Sequence, residues 1–353
     1  MNHLYHILDQ YLSQYALQQT NGQWSCASVV TRTGSSYRWP GAMMIISPLG
    51  HSYGLVSGGC LESDVVRRAQ KAWQMGQADY VIYDTADEES FAASLGLGCN
   101  GKIGVLIQAI SPKHHQLLVQ LYQRMKNKQV SYLLQCFQAA SQEHMNQWGL
   151  FDEQGEQLVD TADDNSKSQL LLDFEKLKLQ LPQRQTTDII GDNHWAMVRL
   201  NPPKHIWILG GGLDAQPLAE IAATLGWLVT IVDHRVGYGR AANFAKAKNV
   251  LNLTPELAAK HKDFLLADAF VCMSHNKNID AQWIKQLSDA PQAKYIALLG
   301  PETRKTEVMT MAGVPQSFAE KVHGPAGSDQ IVGDLPESIA LSIIAQCHHV
   351  LQG

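Results

Sequence analysis

Ile206-Trp207-Ile208-Leu209-Gly210-Gly211-Gly212-Leu213-Asp214-Ala215 is the stretch whose reading decides the fold of this chain. Its four apolar residues read as a short buried strand, its glycines as a tight turn, and the residues after them as a helix start. Gly210, Gly212 and Ala215 stand at G-x-G-x-x-A spacing. Such a turn lets the backbone approach a pyrophosphate at the positive end of the following helix. A second apolar run, Leu228 to Val232, ends in Asp233, where an acidic side chain can accept a ribose hydroxyl. Arg235 stands close enough to favour a 2′-phosphate, so NAD and NADP both stay open. So does the blander reading, in which the cleft is empty or takes another nucleotide, because a fold does not set its ligand.

Outward from this turn the chain keeps one rhythm. Ile206 to Leu209, Leu228 to Val232, Phe264 to Met273 and Tyr295 to Leu299 are apolar strands; helices are expected near Asp214 to Leu225, Pro255 to His261 and Ile279 to Leu287. This alternation predicts a Rossmann-like doubly wound parallel sheet over residues 201–353, closed by a helix from about Leu335 to Leu351. The Pro202-Pro203 pair marks the boundary.

Residues 1–200 read differently. Leu4, Ile7, Leu8, Tyr11, Leu12 and Tyr15 recur at the spacing of an amphipathic helix. Strands follow at Trp24 to Thr31, Ala42 to Ser47, Tyr53 to Ser57, Tyr80 to Tyr83 and Lys102 to Ile110. The Gly58-Gly59 pair opens one helix, and Glu88 to Leu95 forms another. The fold class is therefore α/β, an N-terminal mixed α+β domain followed by the Rossmann-like domain. Residues 111–200 extend the first domain with a helix, a strand, a hairpin across Asp152-Glu153-Gln154-Gly155 and a helix near Gln169 to Gln180, and carry no chemical motif.

Composition removes several function classes. Of 353 residues, 45% are hydrophobic and 17% charged, which excludes a disordered chain. The net charge is −5 with no long basic block, so no nucleic-acid partner is expected, since such binding rests on neutralising phosphates. No apolar stretch approaches a membrane span, and the first twenty residues lack a signal peptide's pattern, so a cytoplasmic location is expected. The 6 cysteines are scattered singly, which supports neither a zinc site nor a disulfide framework. Cys26, Cys136, Cys272 and Cys347 lie in apolar runs and read as core.

Cys60 and Cys99 lie in different settings. In Gly58-Gly59-Cys60-Leu61-Glu62 the thiol precedes a helix whose dipole favours a thiolate. In Leu97-Gly98-Cys99-Asn100-Gly101 it lies in a glycine-rich turn that a ligand can approach closely. Two small buried hydrophobes are the competing reading. The loop from Thr31 to Gly41 holds Arg32 and Arg38 among hydroxyl and glycine residues, and can cradle an anion or be a solvated turn. His275 is the one histidine at a strand's C-terminal end, the edge where ligands of parallel sheets bind. Cys60, Cys99 and the Arg32–Arg38 loop are expected to converge on one pocket.

Together these motifs resemble the XdhC/CoxI family, the xanthine dehydrogenase accessory factors. The family's glycine–serine loop is met by Thr33, Gly34, Ser35 and Gly41, its G-G-C-L-E element by Gly58 to Glu62, and its later glycine–cysteine turn by Gly96 to Gly101. Val232 to Arg235, Ser274-His275, Leu299-Gly300, Pro325 with Gly327, and the helix start Pro336 to Ala340 extend the likeness. Leu213 stands where the family often has His, Asn276 where it has Asp, and Gly327 to Gly333 depart from its Gly-Leu-Asp-Ile-Gly segment.

The resemblance implies a chaperone that binds molybdenum cofactor as cargo and promotes its sulfuration and insertion into a xanthine dehydrogenase-type molybdenum hydroxylase. It implies an apo molybdenum hydroxylase and a cysteine desulfurase as partners, and a homodimer. Cys60, Cys99, Gly58, Gly59, Gly98, Arg32 and Arg38 would bind the cofactor, with Cys60 and Cys99 as soft ligands for molybdenum or sulfane sulfur. Gly210, Gly212, Ala215, Asp233 and His275 form the second candidate site, one suited to NAD or NADP. An NAD(P)-dependent oxidoreductase is the alternative, although the sequence shows no Ser-x-x-x-Tyr-x-x-x-Lys set and no positioned His/Asp pair beside the turn. A redox sensor would need Cys60 and Cys99 with Cα atoms roughly 4.4–6.8 Å apart.

Overall fold

The computed structural model describes residues 4–18, 24–35, 38–84, 101–139, 142–162, 170–171, 174–177, 186–190, 193–290, 293–331 and 333–352. The chain divides into two units, Met1–Pro202 and Pro203–Gly353. The expected helix over Glu88 to Leu95 lies outside the described residues.

The first unit runs α1 (Leu4–Gln18), β1 (Ser25–Gly34), β2 (Met43–Ile46), β3 (Ser52–Gly54), α2 (Glu62–Met75), β4 (Asp79–Asp84), β5 (Gly101–Ala109), α3 (Pro112–Lys126), β6 (Ser131–Gln138), α4 (Gln142–Met145), β7 (Trp148–Phe151), β8 (Gln157–Asp160), β9 (Thr186–Ile190) and β10 (Asn193–Leu200). Two antiparallel sheets result, ordered β3-β2-β1-β5-β4 and β8-β7-β6-β10-β9. α2 covers the first sheet with Val65, Ala69 and Ala72, packed on Ala27, Val29, Val105 and Ile107. The β7–β8 hairpin forms as the turn residues imply.

Two expectations are corrected here. β1 does not end at Thr31; it runs on to Gly34 because Gly101, Lys102 and Ile103 of β5 supply partners for Gly34, Thr33 and Arg32. The Gly58-Gly59 pair does not itself begin a helix. Gly59 has φ +110°, outside helical space, and α2 starts at Glu62.

The second unit runs β11 (His205–Leu209), α5 (Ala215–Thr224), β12 (Leu228–Val232), β13 (Asn249–Leu251), α6 (Pro255–Ala258), β14 (Ala269–Cys272), α7 (Lys277–Leu287), β15 (Tyr295–Leu298), α8 (Glu302–Ala312), α9 (Gln316–Ala319), β16 (Val322–His323) and α10 (Pro336–Gln352). Its six strands are all parallel, in the order β13-β12-β11-β14-β15-β16. Renumbered within the unit, this is the 3-2-1-4-5-6 order of a Rossmann sheet. Alternate strand residues feed opposite faces. Ile206, Ile208, Val229 and Val271 pack on α5 and α10, while Trp207, Leu209, Phe270 and Cys272 pack on α7 and α8. Both faces are covered, which explains why these strands read as unbroken apolar runs. Phe264 is a further correction. It precedes β14 in a turn and packs edge-on against Trp207, so its apolar character serves the core rather than the strand. Among the described residues no helix is long and apolar enough to cross a membrane.

Candidate functional sites

In the first unit the chain leaves β3 and makes an exposed turn at Gly58, Gly59 and Cys60 before α2. The absent Cβ of Gly59 would meet nothing within 4 Å, so glycine is needed there for φ alone. Ser57 and Glu62 hold the turn. The Ser57 amide and hydroxyl donate to the Glu62 carboxylate at 2.8 and 2.6 Å, and the Leu61 amide is shared between Ser57 Oγ (3.2 Å) and Glu62 Oε2 (3.1 Å). Ser57 Oγ also accepts from the Gly59 amide at 3.2 Å and from Cys60 Sγ at 3.4 Å. Cys60 is therefore exposed, one residue before the helix cap Leu61. The nearby amides are already used by Ser57 and Glu62. Sequence reasoning quoted Glu62 without giving it this role; a carboxylate placed just after a Ser-Gly-Gly turn, in the first turn of a helix, was the available signal.

The arginine loop meets this turn. Arg38 Nε donates to the Ser57 carbonyl at 3.3 Å. The Arg32 guanidinium lies 3.7 Å from the centroid of the exposed Trp39 ring, and its Nε is buried without a hydrogen-bond partner. Gly34 is paired with Gly101, whose absent Cβ would fall 2.1 Å from the Ser35 carbonyl oxygen, so the end of the glycine–cysteine turn presses on the start of the arginine loop. Cys99 and Gly98 lie outside the described residues.

Beneath the turn, the buried Asp64 fixes α2 to β4. It accepts from Arg67, from Arg68 Nε at 2.8 Å and from the Tyr83 hydroxyl at 2.7 Å. Burial opposes its ionisation, but the hydrogen bonds from Arg67, Tyr83 and Arg68 prevail and hold its pKa down to about 2. A pocket of about 300 Å³ opens at the other end of α2, between Ser47, Pro48, Gln70 and Trp73, and none of the expected site residues lines it.

In the second unit the glycine turn lies where β11 and β14 run side by side with crossovers on opposite faces. Gly210, at φ +136°, has its absent Cβ 2.4 Å from the Met273 carbonyl oxygen, and Gly211 is tight against Tyr238. Gly212 is open, with only the His275 ring at 3.9 Å. Ala215 begins α5, buried. Asp233 follows β12 and is 2% exposed. Its carboxylate accepts from the Gly211 amide (2.8 Å), the Arg235 amide (2.8 Å), Arg235 Nε (3.0 Å) and Arg235 Nη2 (2.8 Å). Burial works against its charge, yet the Arg235 guanidinium and these amides hold its pKa below the usual carboxylate range.

His275 has φ +60°, a left-handed backbone uncommon outside glycine. Its Nε2 lies 3.1 Å from Asp214 Oδ2. A positioned His/Asp pair thus stands beside the glycine turn, contrary to the sequence reading. Residues 214 and 275 are far apart along the chain, and the parallel register that sets Leu209 opposite Cys272 brings them together. Asn276, where the resemblance would have Asp, caps α7 by accepting from the Asn278 and Ile279 amides at 2.9 and 3.3 Å. Next to them, the buried Asp280 accepts from Ser274 Oγ at 2.6 Å and Arg304 Nη2 at 2.7 Å. Among the described residues no group of three or more His, Cys, Asp or Glu is arranged to hold a metal ion.

Comparison with known proteins agrees with this architecture. Residues 206–347 match the family model described as the XdhC Rossmann domain, and residues 17–84 match that of the XdhC and CoxI family. A Bacillus subtilis (strain 168) protein, named as a probable xanthine dehydrogenase component, is 27% identical over 323 residues, 91% of each chain. A crystal structure described as a xanthine dehydrogenase from Bacillus halodurans matches with a TM-score of 0.74 at 23% identity, over 98% of this chain and 96% of that one, and shares its fold.

Proposed function

The chain belongs to the XdhC and CoxI family, the xanthine dehydrogenase accessory factors, and from that premise we propose that it carries molybdenum cofactor and promotes its sulfuration and insertion into a xanthine dehydrogenase-type hydroxylase. One observation carries this reading: an exposed thiol, Cys60, on an open glycine turn joined through Arg38 to a loop holding Arg32. A thiolate is a soft donor suited to molybdenum, and guanidinium groups suit the phosphate that the pterin carries. Arg32, stacked on Trp39, keeps a buried N–H without a partner, which an anionic cargo can use. Cys99 is assigned to the same site by its motif, Gly101 being locked against Ser35. The acceptor hydroxylase and a cysteine desulfurase are the proposed partners, in the cytoplasm, with the carrier a homodimer.

Molybdenum and pterin content of protein purified from a cofactor-producing host tests this. Stoichiometric, saturable cofactor is expected, with Cys60→Ala or Cys99→Ala lowering it by about tenfold or more and leaving the partner hydroxylase inactive. Cofactor-free wild-type protein, with normal hydroxylase activity in a deletion strain, overturns the reading.

The His275–Asp214 pair favours a second reading, an NAD(P)-dependent oxidoreductase, since such a pair can move a proton. Steady oxidation of NADH or NADPH by a defined substrate, lost in His275→Ala, would select it.

A further inference from the structure

We propose that the C-terminal unit binds a dinucleotide carrying a phosphate on its ribose 2′ position, and that Arg235 selects it over the unphosphorylated form. In a sheet of this order the pyrophosphate rests on the first glycine turn and the adenosine ribose reaches the end of the second strand. Asp233 and Arg235 stand at that end.

An ionised carboxylate offers about four lone-pair sites. The protein itself fills four at Asp233, with the Gly211 amide and with the amide, Nε and Nη2 of Arg235. A ribose diol arriving there finds no vacant acceptor and must displace one of these bonds in a 2% exposed residue. The unphosphorylated dinucleotide is recognised through that acceptor, so its usual handle is missing.

Arg235 offers the opposite chemistry. Nε and Nη2 each give a hydrogen to Asp233, which leaves three of the five guanidinium N–H donors. The guanidinium lies 3.7 Å from the centroid of Tyr238, and its side chain remains 34% exposed. A fork held by a carboxylate on one edge and an aromatic ring on one face is pre-organised for a phosphate. The rest of the cleft fits the same ligand. Gly210 and Gly211 are packed and give the turn its shape, while Gly212 leaves room beside His275 for the pyrophosphate. The competing role for Arg235 is a purely structural counter-ion to Asp233.

Calorimetric titration of the full chain, purified from a host that makes no molybdenum cofactor, separates the two. NADPH, NADH, 2′,5′-ADP and 5′-AMP are the probes. NADPH should bind at least about tenfold more tightly than NADH, and 2′,5′-ADP more tightly than 5′-AMP, with both preferences shrinking as salt rises. Arg235→Gln, checked for an intact fold by its melting curve, should bring each pair to within about threefold by weakening the phosphorylated member. If that variant does not fold, the four wild-type affinities decide alone. Equal affinities, a preference for NADH, absence of binding by all four, or a preference that survives Arg235→Gln would overturn the inference. None of these outcomes bears on the molybdenum content that tests the function proposed above.

Discussion

The turn at Gly58-Gly59 and the turn at Gly210–Gly212 both lean on a single carboxylate, Glu62 in one and Asp233 in the other, yet they are opposite in what surrounds the glycine. Gly59 faces empty space and Glu62 takes its donors from Ser57 and Leu61 with no cation among the hydrogen bonds described for it. Gly210 is wedged against the Met273 carbonyl, and Asp233 is saturated by a bidentate arginine. The first turn is held by hydrogen bonds beneath an open surface, the second by packing and charge inside a sheet edge. The difference explains how the same residue type can mark an accessible surface in one place and a steric necessity in another. A glycine in a motif is informative only once its neighbours are known.

The largest expected effect separates the two glycines. Gly210→Ala drives a Cβ to 2.4 Å from a backbone oxygen at positive φ, and should cost more than about 3 kcal/mol, or prevent folding. Gly59→Ala meets only the backbone penalty, about 1–2 kcal/mol. Urea unfolding of both variants measures this, and equal losses would erase the contrast.

A pH series adds a second axis. His114 is buried in the first unit, and burial pulls its pKa down to about 4 although the Asn146 carbonyl acts the other way. The unfolded chain binds that proton near pH 6.5, so the stability due to neutral His114 is complete above 6.5 and is lost as pH falls toward 4. The loss should reach about 3 kcal/mol, and His114→Gln should flatten the slope across that window. An unchanged slope would place the acid sensitivity elsewhere.

The two carboxylates come next. Asp233→Asn leaves Arg235 without its counter-charge and should cost about 2–3 kcal/mol, whereas Glu62→Gln, with no cation to strand, should cost about 1 kcal/mol. Reversed magnitudes would mean that the open turn is the better braced. Smallest of all is Cys60→Ala, within about 0.5 kcal/mol of wild type in thermal unfolding, because the thiol is exposed and makes one weak bond. A larger loss would show that Cys60 belongs to the turn's framework rather than to its surface.

Much of the second unit was legible in its residues. The apolar run at 206–209, the glycines and the helix after them impose their geometry locally, and the structure has them as strand, turn and helix. Phe264 misled because burial in a turn and burial in a strand leave the same apolar signature. In the first unit the motif Gly58 to Glu62 was visible, but the reading of Gly58-Gly59 as a helix start failed because φ at Gly59 answers to the Ser57–Glu62 clasp.

By itself the sequence determined the succession of strands and helices in the second unit, the glycine positions that must adopt φ values closed to other residues, and the family likeness carried by motifs at both ends. These depend on neighbours in the chain, where side-chain period and backbone sterics act directly. Only the tertiary structure decided that Arg235 fills the acceptor sites of Asp233, that Asp214 meets His275, and that Arg38 joins its loop to Ser57. Each of these turns on which donor reaches which lone pair. That is settled by sheet register and by turn geometry to within a few tenths of an ångström, which no spacing along the chain encodes.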